Sequence, residues 1–125
     1  MGKINEKCKI KEFAYEKHDF ILKYIAEKVG WYYEPENYDQ YASVNRFPTR
    51  IENHKYQFTM WYNDGRFFAN SGYYNGGYSD PKREMDKHSI ADIILMMNQF
   101  EINERRREIN KHKLAIAGAA SNYEV

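Results

Sequence analysis

The sequence predicts an α+β fold in which an N-terminal helix precedes a three-stranded antiparallel meander and a long C-terminal helix closes the chain. Three observations predict it. Apolar residues at helical spacing end at Gly30, Asp64-Gly65 stands between two aromatic runs, and a charged stretch after Asp86 carries apolar residues first at helical and then at seven-residue intervals. At 125 residues the chain has room for one hydrophobic core, so residues 1–125 read as a single domain with 118–125 as a loosely ordered tail.

The first helix is expected from about Ala14 to Val29, because Phe20, Ile21, Tyr24 and Ile25 share a face and Gly30 sits where a left-handed terminating residue belongs. Before it, Cys8 to Phe13 fits either an extension of that helix or a short strand. Between Trp31 and Phe47 the chain is rich in Tyr, Asn, Glu and Pro without a clean period, and reads as a long connection.

From Arg50 the period changes to two. Asp-Gly is the pair that accepts positive φ at both central positions of a tight hairpin, so Asp64-Gly65 fixes the register and pairs Tyr62 with Phe67, Met60 with Ala69 and Phe58 with Ser71 on a core face. The opposite face receives Lys55, Gln57, Thr59, Trp61, Arg66, Phe68 and Asn70. An earlier strand, Thr49 to Glu52, joined through Asn53-His54, completes the meander. A glycine and tyrosine loop, Gly72 to Pro81, follows. The last helix is expected from Lys82 or Lys87 to Ala117. Ile90, Ile93, Ile94, Met97 and Phe100 form its buried stripe; Leu95, Ile102, Ile109 and Ile116 form a narrow seam suited to one partner helix, either the N-terminal helix or the same helix of a second subunit in a homodimer.

Composition narrows the function. The net charge of +1 excludes a strongly basic nucleic-acid module and an acidic DNA mimic as whole-surface devices. No apolar run approaches the roughly 18 residues that span a bilayer, the start has no apolar signal core, and Glu6 stands where a myristoylation signal wants Ser or Thr; no membrane partner and a cytoplasmic location are expected. Cys8 is the only cysteine, and His18, His54, His88 and His112 lie in different elements, so no disulfide, metal or other cofactor is expected. Phosphate-loop, dinucleotide and nucleophile-elbow motifs are absent, and although His54, Glu52 and Asp86 are chemically able groups, nothing in the sequence brings them together. The chain is therefore read as a non-enzyme.

The 12 Tyr, 7 Phe and 2 Trp point to binding. One candidate surface is the outer hairpin face, where Trp61 and Phe68 offer stacking planes beside Lys55, Arg66 and Asn70, provided that no helix or second copy covers it. A second is Arg105, Arg106, Arg107 and Lys111, bases for phosphates or, with Glu101, Glu104 and Glu108 at pairing distance, an ordinary solvated helix face. A third joins Tyr73, Tyr74 and Tyr78 of the loop to Lys82 and Arg83, or is a plain surface loop. Together they favour a nucleotide or nucleic acid as ligand. The alternative is an inhibitor of the kind encoded by phages and mobile elements, which blocks a larger host or defence enzyme through the same aromatic and arginine surface.

His54-Lys-Tyr-Gln-Phe58-Thr, the Asp64-Gly65 turn and Lys82-Arg83 ahead of a helix resemble in part the double-stranded RNA-binding domain, with its histidine loop, second strand, turn and basic helix start. The sequence departs from that pattern. Its bases run Lys82, Arg83, Lys87, the last helix lacks an Ala-rich opening, and the connection from Gly30 to Arg50 is too long. No family is assigned on these residues.

Overall fold

The computed structural model describes residues 4–13, 15–38, 46–72, 74 and 82–123. Short 3-10 turns at Ile10–Glu12 and Tyr15–Lys17 lead into α1 (His18–Val29). Strands β1 (Tyr32–Glu34), β2 (Asn37–Tyr38), β3 (Arg46–Phe47), β4 (Arg50–Asn53), β5 (Phe58–Asn63), β6 (Arg66–Ser71) and β7 (Arg83–Glu84) follow, then α2 (Ile90–Tyr123). Among the described residues no helix is long and apolar enough to cross a membrane.

The predicted meander is the centre of the main sheet, β4-β5-β6, but it does not stand alone. β1 extends it beside β4 and β7 beside β6, giving the antiparallel order β1-β4-β5-β6-β7, while β2 and β3 form a separate two-stranded ribbon. The hairpin register is the expected one: Tyr62 faces Phe67, Met60 faces Ala69 and Phe58 faces Ser71. Its cause is local, since Asp64 and Gly65 have φ of 49° and 79°, the two positive values that match the twist of the flanking strands. The β4 to β5 connection turns at Gln57, also at positive φ, and is held by Asn53 Oδ1 accepting the Tyr56 backbone N–H at 2.8 Å.

α1 begins four residues later than the spacing predicts and ends where it predicts. Gly30, at φ 74°, donates its N–H to the Ala26 carbonyl at 2.8 Å, a bond that a side-chain-bearing residue would make only under strain. Residues before α1 are neither strand nor helix extension: Lys9 bridges Ser89, and Ile10 N–H bonds to the His88 carbonyl, so the N-terminal segment straps the start of α2. α2 starts at Ile90 and not at Lys82 or Lys87, because Arg83 and Glu84 pair with β6 and Ser89 Oγ accepts the Asp92 N–H, capping the helix. It continues past Ala117 through the predicted tail to Tyr123.

Both helices pack on one face of the sheet. Ile21, Leu22 and Ile25 of α1 and Ile90, Ile93 and Met97 of α2 bury against Ile51, Met60, Tyr62, Phe67 and Ala69. α2 is fastened there by Glu101, whose Oε1 accepts Trp31 Nε1–H at 2.6 Å and Asn53 Nδ2–H at 2.8 Å. The other face is also closed. Trp61 is 2% and Phe68 8% exposed, and Thr59 and Glu52 beside them are buried. Tyr74 meets the Trp61 ring edge-on at 5.2 Å and the Phe47 ring at 6.0 Å, and the Lys82 ammonium lies 4.5 Å over Phe68. Connections rather than a helix cover this face.

Candidate functional site

The closure of the outer face reshapes the first predicted surface. Trp61 and Phe68 are cross-strand neighbours stacked at 5.7 Å, as the register requires, but their planes are spent on each other, on Tyr74 and on Lys82. Of the two readings the sequence left open for this face, free or covered, the structure shows the covered one: neither Trp61 nor Phe68 presents an open plane to a base in this conformation. Lys55 and Arg66 stand at opposite ends of β5. Lys55 reaches Glu108 of α2 at 3.7 Å, and Arg66 pairs with Glu84 at 3.1 Å. Asn70 is the exception in this set. It is 5% exposed, next to Thr59 in the register, and neither its Oδ1 nor its Nδ2 has a hydrogen-bond partner among the described residues. A buried amide left without partners costs about 1–3 kcal/mol.

The loop cluster separates in the same way. Tyr73 and Tyr78 lie outside the described residues, Tyr74 packs inward, and Lys82 and Arg83 do not open a helix, since α2 begins at Ile90. The expected phosphate cradle at a basic helix start is corrected accordingly. Arg83 instead lines an open groove of about 700 Å³ between the β6–β7 edge and α2, walled by Phe58, Met85, Met96 and Phe100 and reached from the helix by Arg107. Two arginines from separate predicted clusters thus meet on one groove.

On α2 the acids turn inward and sideways. Glu101 holds Trp31 and Asn53, Glu104 pairs with Arg107 at 2.9 Å, and Glu108 Oε2 accepts the Tyr56 hydroxyl at 3.2 Å. Arg105 has only a 3.8 Å contact to Glu101, and Arg106, Lys111 and Lys113 have no ion-pair partner among the described residues. All residues from 105 to 118 are exposed. Leu95, Ile102, Ile109 and Ile116 are 66%, 41%, 53% and 57% exposed, so the seam faces away from the body and not toward α1. That settles one of the two packing options left by the spacing.

One chemically able group was not visible as a unit in the sequence. Glu52 receives Arg50 Nε at 2.6 Å on one oxygen and lies 2.9 Å from His54 Nε2 on the other, Glu34 stands close, and Tyr32 stacks on His54 at 4.3 Å. Potential ligand atoms of Glu34, Glu52 and His54 come within 4.8 Å of one another. Both Glu52 oxygens are already engaged by a cation and a ring N–H, which is the chemistry of an ion-pair network rather than of an open metal site. Asp86 is elsewhere, accepting the Phe67 N–H at 2.9 Å. Near α1, Asp19 accepts the Thr49 hydroxyl at 2.7 Å, and burial, with the charge and hydrogen bond of Asp19, pushes the Tyr33 phenol up to about 12.

No family model, curated protein or solved structure matches the chain.

Proposed function

We propose that the chain is a non-enzymatic binding module that engages another protein through the outward face of α2, the arrangement expected of a small inhibitor that occludes a larger enzyme. The exposure of Leu95, Ile102, Ile109 and Ile116 at seven-residue spacing carries this reading. The body side of the helix's first half is used in the core, and from Arg105 to Gly118 the helix is exposed all round, so the four residues present an apolar line to solvent. A groove-seeking or helix-pairing partner uses such a line as its anchors. The tagged full-length chain should retain a discrete protein from extract of cells that express it, and Ile102→Asp with Ile109→Asp should lose that protein while keeping the native circular dichroism. Equal recovery by both chains would remove α2 as the binding face.

A second reading, a nucleotide or nucleic-acid ligand, draws its support from Asn70. Its carboxamide offers one donor edge and one acceptor, the complement of a base edge, beside Trp61, Phe68 and Lys82. Native mass spectra taken before and after denaturation decide it: a released nucleotide favours this ligand, and a ligand-free chain disfavours it.

A further inference from the structure

We infer that the partner of the α2 seam is an acidic amphipathic helix: a helix with its own heptad-spaced apolar stripe flanked by Asp and Glu. The inference rests on the protein-binding reading above and adds the chemistry of the partner. The geometry comes first. From Leu95 to Ile116 the stripe follows a helix rising 1.5 Å per residue for roughly 32 Å, drifting about 20° around the axis with each heptad, and a repeat of seven on one helix is matched by the same repeat on another. Leu114 is exposed as well but lies off this line.

Charge then selects the occupant. Three and four residues beyond Ile102 stand Arg105 and Arg106; three and four beyond Ile109 stand His112 and Lys113; beyond Leu95 the same positions hold Asn98 and Gln99. No acid lies among them. The acids of this stretch are held on the body side, Glu101 by Trp31 and Asn53 and Glu108 by Tyr56 and Lys55. Among the described residues Arg106 and Lys113 have no ion-pair partner, and Arg105 has only the 3.8 Å contact to Glu101. The outward side of α2 is therefore apolar at its centre and basic along one flank, although the chain as a whole is nearly neutral at +1.

The same arrangement disfavours a second copy of this helix, the homodimer that the spacing alone would allow. In an antiparallel pair that sets Ile102 against Ile109 of the other copy, Arg105 and Arg106 of one chain meet Arg106 and Arg105 of the other; in a parallel pair in register Arg105 meets its own counterpart, while Arg106 lies toward Glu101 of the other copy. The antiparallel pair thus sets guanidinium groups against each other with no carboxylate between them, and the parallel pair offers Arg106 only a carboxylate already engaged by Trp31 and Asn53.

The test uses the full chain and a fluorescent synthetic helix of about four heptads with Leu on its seam and Glu on its flanks, against the same peptide with Lys on its flanks. The glutamate peptide should bind and the lysine peptide should bind at least about tenfold more weakly, read by anisotropy. The triple variant Arg105→Glu, Arg106→Glu, Lys113→Glu should invert that preference, and Ile109→Asp should abolish binding of both. Because all four positions are exposed, the variants keep the fold, which circular dichroism checks. Equal affinity for the two peptides, binding of neither, or a sedimenting dimer that Ile109→Asp returns to monomer overturns the inference. If the peptides fail while the cellular partner is still lost on Ile102→Asp with Ile109→Asp, protein binding through α2 stands and only the acidic partner falls.

Discussion

Glu101→Ala should undo the attachment of α2 to the sheet more than any other single polar change on that helix. One carboxylate oxygen receives Trp31 Nε1–H at 2.6 Å and Asn53 Nδ2–H at 2.8 Å, and both donors belong to buried residues. The alanine variant removes two charge-assisted bonds and leaves two donors of buried residues without the carboxylate that satisfies them. At about 1.5–3 kcal/mol for each bond to a charged group, discounted because the two share one acceptor, the loss is about 3–4 kcal/mol. Glu101→Gln keeps a neutral acceptor and should lose about 1–2 kcal/mol. Urea unfolding reads the difference: with a slope of about 1.5 kcal/mol/M, the alanine midpoint falls by about 2–3 M. An alanine midpoint within about 0.3 M of the parent, or a glutamine variant as damaged as alanine, would refute the argument that this carboxylate is what fastens the helix.

Three further perturbations probe other parts of the molecule. Trp61→Ala, in a position 2% exposed, should cost about 3–5 kcal/mol and lower the thermal midpoint accordingly; a melting curve like the parent's would show that the outer face is open after all. Asn70→Val should stabilise by about 1–2 kcal/mol, since a strand-favouring apolar side chain replaces an amide that has no partner among the described residues; a loss of similar size would show that the carboxamide is hydrogen-bonded in the folded protein. Tyr33 has its folded pKa raised from 10.0 to about 12, so its contribution to stability is complete below pH 10 and drains away as the pH rises from 10 through 12. Tyr33→Phe should therefore flatten the stability curve in that window, and an unchanged alkaline slope would assign it to other tyrosines.

Elements set by local chemistry were legible in the sequence. Asp64-Gly65 fixes a turn by the φ values it tolerates, and the turn fixes every pair of the hairpin; Gly30 stops α1 for the same kind of reason. β1 and β7 were not legible, because strands of three and two residues owe their existence to β4 and β6 beside them, which no short window contains. Whether the outer face is covered was left open by the sequence for a related reason. Period two says that Trp61 and Phe68 share a face, but not that Tyr74, Phe47 and Lys82 fold back over it. Two large aromatics at outward positions were themselves the available signal for a covered face. The seam on α2 was visible as a repeat of seven, and only the docking of the other side of that helix showed which way it points. Glu101 and the Arg50–Glu52–His54 network carried no signal, since their partners lie across elements or are ordinary strand residues.

The central claim is that α2 presents its isoleucine seam to a partner protein, and a photo-cross-linking scan along the helix tests it most directly. A photoreactive residue is placed in turn at Leu95, Ile102, Ile109 and Ile116, and at Arg107 and Lys111 on other sides of the helix, in the full-length chain inside the cells that express it. The account predicts adducts of one heavier mass at the four seam positions, recurring every seven residues, and little or none at the other two. Adducts at Arg107 and Lys111 as strong as those on the seam, or an adduct containing only a second copy of this chain, would contradict it.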